Sequence, residues 1–170
     1  IRQVPEDLNG SIRNLAQLAS IELQYNESLR GLRRLYRILR QNLDDPEAFS
    51  VYFISIMTAP TELPLMEDSL LEVIPGSALV LADDFGHELK VVIDPYNFGN
   101  LAGRIDFFKP DSFEGQALVG AKVGQKIEIP AQAFGGTKTY TVKSIQSAYR
   151  YMIEIVQERA QSLGGLPNLK

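Results

Sequence analysis

The side chains able to do acid–base, metal or nucleophilic chemistry are few, and their spacing argues against a catalytic centre. His87 is the single histidine in 170 residues, and there is no cysteine. A catalytic histidine needs a nucleophile and an orienting partner placed beside it. The sequence sets His87 in a turn with neither, which reads as a surface histidine. Zinc needs several His, Cys or carboxylate ligands together, and no such cluster occurs. The tight acidic groups are Asp83-Asp84 and Asp44-Asp45-Pro46-Glu47. Either could take a hard cation, but helix-cap and turn duty explains both more simply. The triplet Asp84-Phe85-Gly86 matches a kinase metal-binding motif in its letters. It lacks the glycine-rich loop, the catalytic-loop signature and the chain length of a kinase, so a hairpin turn using Gly86 accounts for it. Gly99 to Gly103 has no strand–turn–helix setting and no following P-loop lysine, so it is not a phosphate cradle. The expectation is a protein with no metal, no cofactor and no catalytic residues.

Composition agrees with a folded, non-membrane chain. With 45% hydrophobic residues the chain can bury a core of one domain or two small ones. No run approaches the ~20 apolar residues of a membrane span. Arg2, Glu6 and Asp7 interrupt any secretory leader. The absence of cysteine is compatible with a cytoplasmic location. A net charge of −4 makes the molecule as a whole no obvious nucleic-acid binder. The chain opens at Ile1 rather than Met, which leaves a longer parent open.

The elements that must position these residues follow from periodicity. Leu8, Ile12, Leu15, Leu18 and Leu23, with Ala16 and Ala19, recur at helical spacing after a cap at Asp7. A second helix spans Glu27 to Asn42, with Asn26 as its cap. Leu29, Leu32, Leu35, Tyr36 and Leu39 form one face; Arg30, Arg33, Arg34, Arg37 and Arg40 form the other, with hardly an acidic neighbour. That arginine face has two readings. It is a solvated face whose stems cover apolar surface, or a basic interaction face for an acidic partner or a nucleic-acid backbone. Asp45 caps a third helix with Pro46 at its first position, carrying Phe49, Tyr52, Phe53 and Ile56. Pro60 and Pro64 then divide a helical unit from a mostly β unit. Leu65 to Glu72 predicts one further helical turn. Ala78–Ala82 and Leu89–Ile93 are strands joined by a turn, and Gly103–Phe108 is another.

The stretch from Asp111 to Ile145 organises the second half. Ser112 can cap a short helical turn running to Val119, with Glu114 in its first turn, and Gly120 ends it. Lys122 to Gln125 bend around Gly124. Lys126–Ile129 alternates polar and apolar residues as a half-buried strand that Pro130 closes. Gly135-Gly136 supply a turn into a second strand, Thr139–Ile145. A closing amphipathic helix covers Ser147 to Ser162, with Tyr151, Ile155 and Val156 on its apolar side, and Gly164-Gly165 ends it.

The order Asp111, Ser112, Ala117, Leu118, Gly120, Lys122, Val123, Gly124, Gly135, Gly136, Thr139, Tyr140 resembles the C-terminal domain of the Gre transcript-cleavage factors. Pro75–Leu81 and Glu88–Ile93 look like that domain's opening hairpin, so the resemblance runs from about Leu71 to Ser147. It implies a small antiparallel sheet similar in fold to FK506-binding prolyl isomerases, and docking on RNA polymerase through an Asp-Ser-Pro corner. Asp111 and Ser112 match that corner, and Phe113 replaces its proline with an aromatic of the kind favoured at interfaces. Isomerase activity would need an aromatic-lined pocket that the sequence does not show. Gre factors also carry an acidic pair at the tip of a long N-terminal coiled coil. Glu22, Glu27, Asp44 and Asp45 do not reproduce that motif, and the helices are short. The expectation is therefore docking without stimulation of transcript cleavage.

The resulting reading is an α+β protein. Residues 1–64 form a helical unit, 65–147 a Gre-like antiparallel β domain, 148–163 a C-terminal helix and 164–170 a tail. Its function is non-enzymatic: RNA polymerase, or another domain of a longer chain, is the partner of Asp111, Ser112 and Phe113. The alternatives are a nucleic-acid module acting through Arg30–Arg40 and an intramolecular scaffold.

Overall fold

The computed structural model describes residues 5, 8–25, 27–59, 62–63, 65–96, 105–130 and 136–162. The chain divides into two compact units, one made of Ile1–Met66 with Met152–Lys170 and the other of Glu67–Tyr151.

Three helices build the first unit: α1 (Ile12–Gln24), α2 (Ser28–Gln41) and α3 (Pro46–Met57). Helix α1 starts at Ser11, whose hydroxyl accepts the Asn14 N–H at 3.3 Å. Gly10 disfavours helix just before a good cap, which explains a start later than the expected one. The expected caps Asp7 and Asn26 lie outside the described residues. The buried line of α1 is Ala16, Ala19, Glu22 and Leu23, while Leu15 and Leu18 are only half-buried. Small residues there let α2 approach closely. A Cβ on Gly31 would stand 2.8 Å from the Ala19 carbonyl oxygen and 2.8 Å from Leu23 Cγ, so the contact of α1 with α2 depends on that glycine. Leu32, Leu35 and Leu39 of α2 are fully buried, as are Ala48 and Tyr52 of α3. Asp45 caps α3 as expected, accepting the Glu47 N–H at 2.8 Å, with Pro46 in the first turn.

The second unit is a five-stranded sheet of β1 (Ser77–Ala82), β2 (Glu88–Ile93), β3 (Ile105–Phe108), β4 (Lys126–Pro130) and β5 (Thr137–Ser147), in the order β3-β2-β1-β5-β4. It is a mixed sheet, not the all-antiparallel one expected. Strand β3 runs parallel to β2, with Lys90 opposite Ile105 and Ile93 opposite Phe108. Alternation of side chains is the same for both pairings, so it could not decide direction.

The core under the sheet is formed by Leu79, Leu81, Val91, Ile93, Ile127, Ile129, Val142 and Ile145, joined by Val73, Leu118 and Ala121. Leu79 and Leu81 are two apart, whereas their partners Ile145 and Val142 are three apart. A bulge between Val80 and Leu81 absorbs the extra residue and keeps both pairs facing the same core. The segment expected to form a helical turn, Leu65 to Glu72, is not helical. Its backbone instead bonds to the sheet: the Leu70 N–H donates to Ile145 O at 2.9 Å, and Glu67 O accepts the Ser147 N–H at 3.0 Å. The short helix α4 (Phe113–Leu118) precedes β4, and α5 (Ala148–Ser162) follows β5 without a loop. Gly120 and Gly124 both take φ +84°, the conformation their turns require. Gly103, Gly135 and the 164–170 tail lie outside the described residues.

Candidate docking corner

Strand β3 delivers the chain into a tight corner, Lys109-Pro110-Asp111-Ser112, from which α4 leaves. One oxygen ties it together. The Lys109 carbonyl accepts the Ser112 N–H at 3.1 Å and the Ser112 hydroxyl at 2.9 Å. The same hydroxyl oxygen accepts the Gly115 N–H at 3.0 Å, which is the helix cap that the sequence predicts. Gln116 closes the other side, its Nε2 donating to the Asp111 carbonyl at 3.2 Å. Asp111 is exposed, Ser112 half-buried, and Phe113 is 81% exposed. Glu114, in the first turn where a negative charge suits the helix dipole, is buried. The three residues singled out from the sequence thus occupy one turn, with a carboxylate and an aromatic ring both facing water.

Sequence reasoning missed Gly115. A Cβ there would lie 1.9 Å from the Lys109 carbonyl oxygen, so a side chain and this corner cannot coexist. The available signal was a glycine inside a predicted helical turn, which costs helix stability and so asks for a reason.

The arginine face needs correction. Arg34 is 2% exposed and Arg40 1% exposed, while Arg30, Arg33 and Arg37 are half-buried. A continuous wet stripe does not exist. For Arg30 and Arg34 the reason is an acidic neighbour eight and twelve residues away: Glu22 of α1 faces α2 across the turn. Arg34 donates Nε and Nη2 to the two oxygens of Glu22, each at 2.8 Å, in a fork that suits guanidinium and carboxylate geometry. Arg34 Nη1 also reaches the Pro5 carbonyl at 3.2 Å, and Arg30 Nε lies 3.4 Å from Glu22. The expected absence of acidic neighbours held along the helix and failed across the unit.

With this geometry in view, known proteins can be compared. The chain is similar to the solved structure of GreA factor homolog 1 (Gfh1) of Thermus thermophilus, with 21% identity over 81% of this chain and 95% of that one, at a TM-score of 0.40. Gfh1 of Thermus aquaticus is 16% identical over 79% and 96%, also at 0.40. The transcription elongation factor GreA/GreB from Nitrosomonas europaea is 19% identical over 65% and 88%, at 0.36. No family profile matches the chain. No curated protein matches it either.

His87 turns out to have an orienting partner, contrary to the sequence reading. Its Nδ1 lies 2.9 Å from Asp83 Oδ2, while Asp83 Oδ1 accepts the N–H groups of Phe85 and His87 at 2.9 and 2.8 Å. The His87 hydrogen bond, above all, holds the Asp83 carboxyl below the usual range. The imidazole side chain is 80% exposed, and what this carboxylate organises is the turn itself, with Gly86 at φ +86°. Lys126 at the start of β4 adds an ion pair to Asp84 at 3.2 Å. Burial pushes the Asp106 carboxyl on β3 upward. Among the described residues no three His, Cys, Asp or Glu side chains could share a metal ion, and no helix is long and apolar enough to cross a membrane. An open cavity of about 610 Å³ in the helical unit, between Arg13, Gln17 and Ile21 of α1 and Glu47, Val51 and Ile54 of α3, has no aromatic side chain in its wall.

Proposed function

We propose that this chain is a non-enzymatic regulator or adaptor that docks on RNA polymerase through the corner Asp111, Ser112 and Phe113. The observation that carries the reading is Phe113. Its ring is 81% exposed at the first position of α4, two residues from an exposed carboxylate, on a turn held by the Lys109 carbonyl. Keeping a large apolar side chain in water forgoes burial energy. A partner pocket that takes the ring recovers it, as aromatic anchors at interfaces do. The resemblance of the Asp111–Ile145 stretch to the polymerase-docking domain of Gre factors supplies the partner.

The other half of the reading is that the chain docks without stimulating transcript cleavage. Two carboxylates of the helical unit serve its own structure: Glu22 is held in the Arg34 fork and Asp45 caps α3. Asp44, beside that cap, is exposed, but the helices it joins are 14 and 12 residues long and do not form a long hairpin.

Purified bacterial core RNA polymerase, captured on the immobilised chain, tests the first half. Phe113→Ala is expected to lower recovery by about tenfold or more, the effect of losing a central aromatic anchor, and Asp111→Ala by less. Equal recovery on all three chains, or none on the parent, overturns docking through this corner. Addition of the chain to arrested elongation complexes tests the second half; faster transcript cleavage sinks it.

A further inference from the structure

We infer that Gly115 is the positioning residue of the docking corner, setting the direction in which Asp111 and Phe113 face a partner; this rests on the docking reading above. The Lys109 carbonyl oxygen takes two hydrogen bonds from Ser112, and Ser112 Oγ takes the Gly115 N–H. That closes a ring of contacts around one oxygen. The space on the fourth side of this oxygen is where a Cβ on residue 115 would sit, at 1.9 Å, with Lys109 C at 2.9 Å and Pro110 C at 3.1 Å. All three are backbone atoms, so no side chain can swing aside to make room. Gly115 also lies outside the positive-φ glycines, so its role is space and not backbone conformation.

What yields when a methyl group is added follows from the anchors on either side. Before the corner, Phe107 and Phe108 are paired to β2, and the Phe108 carbonyl accepts the Asp94 N–H at 2.8 Å. After it, Leu118 is fully buried in the core and the Gly120 N–H donates to Val73 O at 2.8 Å. Between these fixed ends lie the turn and the first residues of a six-residue helix, too short to hold its shape alone. The displacement therefore falls on residues 109–113, which carry the contact side chains. Gly115 touches no partner itself; it acts through Ser112.

Amide hydrogen exchange on the full chain, together with polymerase capture, tests this. In Gly115→Ala, the amides of Ser112 and residue 115 are expected to exchange about tenfold faster or more, as loss of one hydrogen bond would give, while those of β1 and β5 keep their rates. Polymerase affinity falls by a similar factor. Ser112→Ala, which removes the hub hydroxyl without adding bulk, opens the same amides and weakens capture in the same direction. Val91→Ala, a core substitution in β2, lowers stability but leaves affinity at the parent value. Unchanged exchange at 112 and 115 in Gly115→Ala overturns the inference whatever the polymerase does. Affinity lost in Phe113→Ala but kept in Gly115→Ala overturns it and leaves the docking reading standing. An opened corner with affinity kept in both variants overturns the docking reading, and the positioning role falls with it. Equal loss of affinity in Val91→Ala assigns the effect to stability and removes Gly115 from the binding site.

Discussion

Glu22 in the helical unit and Asp83 in the β unit do the same kind of work in opposite settings. Each carboxylate gathers three nitrogen groups: Arg34 twice and Arg30 for Glu22; the Phe85 N–H, the His87 N–H and the His87 ring for Asp83. The donors of Asp83 lie within four residues of it, on a turn open to water. Those of Glu22 stand eight and twelve residues on, brought in by the pairing of two helices, and the Glu22–Arg34 fork is buried. A local, solvated cluster shapes a turn and is replaceable by water. A buried one assembled across elements is a condition of the fold, because removing one partner strands the other charge away from solvent.

Five variants break or sharpen that contrast, from the largest expected effect downward. Glu22→Ala leaves Arg34 buried without its fork, and urea denaturation should show a loss of about 3–5 kcal/mol. Replacing both partners, Glu22→Leu with Arg34→Met, should recover most of that loss; failure to recover would mean that the pair contributes more than the removal of a stranded charge. Gly31→Ala ought to stabilise an isolated helix. Here the methyl group meets the Ala19 carbonyl at 2.8 Å, so a net loss of about 1–3 kcal/mol is expected by the same measurement. Ser112→Ala removes the α4 cap and should lower stability by about 1 kcal/mol.

Asp83→Asn comes last. The folded chain holds this carboxyl below its ordinary value of 3.8, so the unfolded chain binds the proton more readily. Its contribution is complete above that value and is lost as pH falls below it. Melting temperature plotted against pH should therefore fall less steeply in Asp83→Asn than in the parent below pH 3.8. Parallel curves would show that the turn draws nothing from its carboxylate.

The parts of the fold legible beforehand share one property: the groups concerned lie close in sequence. Ser112 and Asp45 were readable as caps because each carboxylate or hydroxyl meets an N–H two or three residues on. Strand β4 was readable from alternation, β1 and β2 from short apolar runs, and the turns at Gly120 and Gly124 from the need for positive φ. The misread features depend on distance along the chain. The arginine pattern left a solvated face and a face for a partner both open; Glu22, twelve residues upstream of Arg34, draws that side chain into the interior, which neither reading included. The corner residues Asp111, Ser112 and Phe113 were named in advance, but Gly115 was not. Its constraint comes from a carbonyl six residues earlier whose position only the turn specifies.

Sequence alone determined the α+β class, the caps of α3 and α4 and the solvent-seeking turns, because these follow from propensity, periodicity and hydrogen bonds between near neighbours. Tertiary structure decided which charges are buried, which way β3 runs beside β2, and how little space stands behind the corner at Lys109. Each of those is set by the meeting of segments whose separation in the chain carries no local signal, and excluded volume and desolvation act only once they have met.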